Sequence, residues 1–348
     1  MKQYLPIPLL TALLFCSCRE NPSGPQQGAP PPSLAKAAYV LNEGSFGDPA
    51  GARLCVYDIE RDTVYKDVYE SANNGTHLGG GGDDIKVFRG RAYVLMSGSE
   101  NLAVISLENH QLLQSMTFPG STPHDLVIDS LRNKIYITRL YMSSIFVVNL
   151  TTLSVMDSVS VGSNPQGMLI LNGELYVCNS GYGASRTVSV IDLDSDTVKA
   201  TINVGEGPTF AAVAPDGRIW IACTGISFPP PTTNGSVFVI DPSTRSVVDS
   251  ILFSENLNGA ISMGRNGYAY VVGGAGLHRI HLSSKSVTSN FIAGTFYALA
   301  VEELSGDIYV TDAKTFNVDG DLNIFSDSGV QKKTRLVQKI PGAIAFKH

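Results

Sequence analysis

The 348-residue chain carries 25 Lys and Arg against 31 Asp and Glu, a formal net charge of −6, and only 16% of its residues are charged. This acidic balance, without a basic patch, excludes the electrostatic footprint of a nucleic-acid binder, and 43% hydrophobic residues exclude disorder over most of the length. With 34 Gly and 18 Pro the chain is rich in turns, so an all-β body is expected.

Residues 1–17 combine one Lys, a short apolar run and small residues, which reads as a signal peptide rather than a membrane span. The end of that run, Phe15-Cys16-Ser17-Cys18, resembles a bacterial lipobox. The resemblance implies lipidation at Cys18, although Phe15 and Cys16 depart from the usual Leu and Ala, Ser or Thr. Lipidation at Cys16 is disfavoured by Phe15 before it, and ordinary secretion with cleavage near Ser17 is the alternative. Residues 18–36, rich in Pro, Gly and Gln, read as a semi-rigid tether. A propeller body is expected over 37–348. Export, a lipid anchor in the bacterial outer membrane on its surface or periplasmic side, and a monomeric state complete this expectation.

From Tyr39 onward one pattern recurs. Aromatic-aliphatic doublets stand at Tyr39-Val40, Tyr93-Val94, Tyr136-Ile137, Tyr176-Val177, Trp220-Ile221, Tyr270-Val271 and Tyr309-Val310, with spacings of 54, 43, 40, 44, 50 and 39 residues. Each doublet is followed by a variable loop and a second strand, such as Val190-Ile191-Asp192. Most are preceded by a third apolar segment closed by a turn, such as Pro208–Gly217. Four short strands in about 40–45 residues are one propeller blade, and no helical periodicity competes. Seven units predict an all-β, seven-bladed β-propeller of four-stranded antiparallel blades. The last segment, Ile340–Phe346, has no doublet after it, and the first doublet has no such segment before it. The C-terminal strand is therefore expected beside residues 38–42, completing the first blade.

Tyr176-Val177-Cys178-Asn179, Thr187–Asp192 and Ile202–Pro208 resemble the YVTN repeat of YncE-like propellers. Tyr39–Gly47, with Thr311-Asp312-Ala313-Lys314, resembles a subgroup of bacterial surface lipoprotein propellers. That resemblance implies a role in capturing cobalamin or iron chelates together with a TonB-dependent transporter.

In such a blade, the loops entering the innermost strand and those after the second strand share one face, around the mouth of the central channel. The second-strand loops here are long and unequal, which marks that face as the functional one. Innermost-strand loops bring Asp83, His124, Gln166, Asn258 and Tyr297 to the mouth. The other set adds Asn42, Glu43, Phe46, Arg139, Tyr141, Asn179, Tyr182, Arg186, Phe228, Asp312, Lys314 and Phe316. Rigid aromatics with amides and a few charges suit a large, flat, polar-rimmed ligand.

No catalytic constellation is expected, since GxSxG is absent and no Ser or Cys has a recognisable base. No resident cofactor or metal is expected either; a metal or metal chelate enters only as ligand. A propeller lactonase, lyase or metal-assisted hydrolase, with His124, Asp83 and Arg139 at the mouth, is one alternative. A surface-layer or protein-interaction scaffold is the other. Gly79–Gly82 lacks the Lys of a phosphate loop, and Asn317–Asn323 lacks the Glu of a calcium loop, so the latter reads as a hairpin tip. Cys178 and Cys223 are offset by one position in corresponding strands, so their side chains are expected on opposite sheet faces and unbridged.

Overall fold

The computed structural model describes residues 34–348. The signal segment, Cys18 and most of the tether therefore lie outside the described residues. Leu34, at the tether's end, is already buried against the first hydrophobic layer.

Twenty-eight strands form seven four-stranded antiparallel sheets. Innermost strands of blades two to seven are Gly82–Phe88, Thr122–Asp129, Pro165–Leu171, Pro208–Val213, Leu257–Met263 and Leu299–Val301. The first blade takes its innermost strand, Pro341–Lys347, from the C-terminus, where Ala37 pairs with Lys347 and Tyr39 with Ala345. The expected ring closure is thus present, and no sheet edge is left open between the last blade and the first.

The doublets explain how the ring packs. Successive side chains on a strand point to opposite faces, so the aromatic of each doublet faces the next blade and its aliphatic partner faces the previous one. Tyr39 lies with Val94, Tyr93 with Ile137, Tyr136 with Val177 and Tyr176 with Ile221. Trp220 lies with Val271, Tyr270 with Val310, and Tyr309 with Val40. Seven apolar layers, one between each pair of blades, therefore form the core.

This arrangement corrects the reading of the cysteines. Cys178 and Cys223 do leave opposite faces of their own sheets, but opposite faces of adjacent blades meet, so both thiols enter the same layer. They are buried and unbridged, as is Cys55. Helix is also not wholly absent: Val68–Ala72 makes a short helix in the connection between the first two blades, and Gly181–Gly183 a single 3₁₀ turn. A segment of five residues is too short to display a 3.6-residue period. Among the described residues no helix is long and apolar enough to cross a membrane.

Candidate functional site

The channel opens on the face formed by the loops before the innermost strands and after the second strands. Its lumen holds a cavity of about 250 Å³ lined by Asp83, Asp84, Lys86, His124, Asp125, Phe210, Asn258, Tyr297 and Gly342 among others. Carboxylates tie the inner strands together. The Asp84 carboxylate accepts from the Leu126 amide at 3.1 Å, one blade on. Asp125 accepts from the Met168 amide at 2.7 Å, one blade further. Lys86 donates to both, at 2.8 Å to Asp84 and 3.3 Å to Asp125. Burial alone works against the ammonium, but Asp125 and Asp84 overcome it and hold Lys86 above its ordinary value. Asp125 is pushed up by burial and by Asp84, against the pull of Lys86.

Above this ladder sit two further pairs. His124 Nδ1 lies 2.9 Å from Asp83, whose other oxygen accepts from the Ser97 amide at 3.0 Å. Burial disfavours the imidazolium, yet the Asp83 bond and the neighbouring Asp125 and Asp84 raise His124 above its ordinary value. Glu43 folds over Gly342, where a Cβ would meet its Oε1 at 2.5 Å. Burial, assisted by Asp83, pushes Glu43 up to about 7, while a hydrogen bond from Tyr297 and the nearby His124 oppose the rise. Asn258 anchors the last part of the rim, donating to the Tyr297 carbonyl at 3.0 Å and accepting from the Ala260 amide at 2.9 Å. Gln166 is half-buried and lies within the innermost strand of the fourth blade, not in the loop before it.

Aromatic side chains crown the same face. Tyr141 and Tyr182, from adjacent blades, lie 5.3 Å apart between ring centroids and are 68% and 54% exposed. Tyr297 and Phe316 meet edge to face at 5.5 Å. Phe46 stands fully in solvent and Phe228 nearly so. Among the described residues, every exposed aromatic side chain is on this face: Phe46, Tyr141, Tyr182, Phe228, Tyr297 and Phe316. Phe228 and Phe316 stand on the second-strand loops 224–235 and 313–318.

Other expected residues serve the scaffold. Asn42 is fully buried; its amide donates to the Val40 and Arg53 carbonyls, and its oxygen accepts from the Gln338 amide. Asn179 is likewise buried and donates to Thr187 and Ser189 at 3.0 Å each. Arg139 bonds Ser144 and stacks its guanidinium 4.2 Å from the Phe146 ring centroid. Arg186 is paired with Glu206. Lys314 bonds Asp321 at 2.9 Å, and Asp312 caps the turn by accepting from the Lys314 amide. Asp319 is paired with Lys66 of the first blade, so one carboxylate of the calcium-like segment is neutralised across a seam and the other within its own hairpin. Gly79–Gly82 is a packing feature: a Cβ on Gly80 would strike the Asp48 carbonyl at 2.3 Å. Among the described residues no group of three or more His, Cys, Asp or Glu is arranged to hold a metal ion.

Solved structures carry the same fold. A hydrazine synthase of Kuenenia stuttgartiensis is 15% identical, with a TM-score of 0.66 over 76% of this chain and 89% of that one. A quinonprotein alcohol dehydrogenase-like protein of Bacteroides thetaiotaomicron is 16% identical, with a TM-score of 0.70 over 90% of this chain and 78% of that one. At such identity the likeness is one of fold alone. In sequence, antigen Lp49 of Leptospira interrogans is 29% identical over 135 residues, 35% of this chain and 29% of that protein, so the chain spans under a third of its relative's length. The family model for the domain of unknown function DUF5074 matches residues 36–227, more than half of the chain. The chain belongs to the DUF5074 family.

Proposed function

We propose that the protein captures a ligand on the mouth face of the propeller. The observation that carries this reading is the confinement of all exposed aromatics, among the described residues, to that one face around a polar lumen. Exposed aromatic clusters on a rigid scaffold are costly in water and repay a flat ligand with stacking area at small entropy loss. Glu43, Asp83, His124, Asn258 and Tyr297 provide the polar contacts beneath. In this reading the chain is an exported lipoprotein held by Cys18, capturing a cofactor or metal chelate for an outer-membrane transporter. The lipobox, the tether and the surface-lipoprotein resemblance support it, as does a partial relative named as an antigen. Titrating the full chain with cobalamin, haem and ferric siderophores, followed by absorbance, tests the reading. Micromolar binding that Tyr141→Ala/Tyr182→Ala weakens is expected; no binding to any of the three removes its main support.

The Asp83–His124 contact and the raised Glu43 favour a second reading, an enzyme that moves a proton at the mouth. A turnover lost in His124→Ala while folding is retained would select it.

A further inference from the structure

On the opposite face, several seams between blades are built from one recurring piece. The turn after the third strand places a residue with positive φ against the doublet aromatic of the preceding blade. His110 (φ 59) meets the Tyr39 hydroxyl at 3.1 Å, and Asp196 (φ 53) accepts from the Tyr136 hydroxyl at 2.6 Å. Lys285 (φ 59) lies 4.6 Å from the Trp220 ring centroid. At the seam between blades three and four, the cations two and four residues before the doublet are also neutralised. Arg132 pairs with Asp194 at 2.7 Å, and Lys134 pairs with Asp196.

The seam between blades two and three has the same cations and lacks the carboxylates. Arg89 and Arg91 stand four and two residues before Tyr93, as Arg132 and Lys134 stand before Tyr136. The facing turn has the same geometry: Asn149 accepts from the Thr151 and Thr152 amides as Asp192 does from those of Asp194 and Ser195. Leu153 has φ 50 where Asp196 has φ 53. Yet Thr151 and Leu153 stand where the next seam has Asp194 and Asp196. Among the described residues neither Arg89 nor Arg91 enters an ion pair, and the hydroxyl of buried Tyr93 has no hydrogen-bond partner. A cleft of about 580 Å³ opens between them, walled by Phe88, Leu113 and Leu150 and edged by Gln114 and Asn133.

We infer that this cleft binds the carboxylate of a small organic acid. Arg89, Arg91 and Tyr93 line one cleft where the neighbouring seam supplies its own Asp carboxylates to the same kinds of donor, and guanidinium pairs bind carboxylates through short, charge-assisted bonds. The apolar wall takes the acid's hydrocarbon body. This site stands on the face away from the channel mouth and does not depend on the capture reading.

Calorimetric titration of the full chain with benzoate tests it, with benzylammonium and inorganic phosphate as comparison probes. Saturable benzoate binding is expected, about tenfold or more tighter than either comparison, and weakened about tenfold or more in Arg89→Gln/Arg91→Gln. Thr151→Asp, which supplies an internal carboxylate, should weaken it similarly while the unfolding midpoint holds or rises. The inference is overturned by no saturable benzoate binding, by phosphate binding as tightly, or by affinity that survives either substitution in a folded variant.

Discussion

Glu43 is a carboxyl group whose folded environment favours the proton. Burial lifts it to about 7 from an ordinary 4.5, so between those values the folded protein keeps a proton that the unfolded chain has released. Stability from this group is complete below the ordinary value and is lost as pH rises through about 7. Glu43→Gln should therefore match wild type near pH 4 and exceed it by about 2 kcal/mol at pH 8, in urea unfolding across that range. Parallel curves for the two proteins would contradict it. His124 acts in the same direction, since its raised value makes its contribution fade as pH climbs past the folded midpoint. Lys86 is the converse case, a cation holding two carboxylates. Lys86→Met should cost about 3–5 kcal/mol in the same assay, because it leaves Asp84 and Asp125 facing each other in the lumen. At this scale the sequence was only partly legible. His124 and Asp83 could be placed at the mouth because they stand where the chain enters inner strands. Asn42 could not be read as a scaffold residue, because the partner its face meets, Gln338 of the last blade, is set by closure of the ring and not by its own strand.

Strands decide closure. Pro341–Lys347 is the sole inner strand of the first blade, and it packs against both the second strand of that blade and the inner strand of the next. Deleting residues 341–348 should abolish cooperative unfolding by circular dichroism; a truncated chain that still melts sharply would show closure to be dispensable. The strand was legible because its hydrophobic pattern lacked a following doublet. The Val68–Ala72 helix was not, since its three buried residues, Val68, Tyr69 and Glu70, make no repeating stripe. The cysteine pair shows a different limit. Alternation along each strand was read correctly, but which faces meet is a property of neighbouring sheets and not of either strand.

Across the whole molecule, each blade is held on both sides, so no blade can leave without opening two apolar layers. The single Trp reports one of those layers, between blades five and six. Trp220 emission and far-ultraviolet circular dichroism should therefore share one urea midpoint; separated midpoints would show that blades unfold in blocks. The seven doublets made the blade count legible, because each layer needs one aromatic and one aliphatic residue. The loops were legible in length and not in pose, since no period governs them.

The turn residues at the seams carry a consequence for assembly. Blades of nearly equal length and shape invite pairing out of order while the chain is still collapsing. The seams differ in chemistry: Tyr39 meets His110, Lys134 meets Asp196, Glu174 meets Arg245, and Trp220 meets Lys285. Polarity reverses from the third seam to the fourth. A fifth blade docked on the third would set Arg245 against Lys134, and like charges at contact distance oppose that union. The seams thus work as address labels, each admitting the neighbour that follows in the chain.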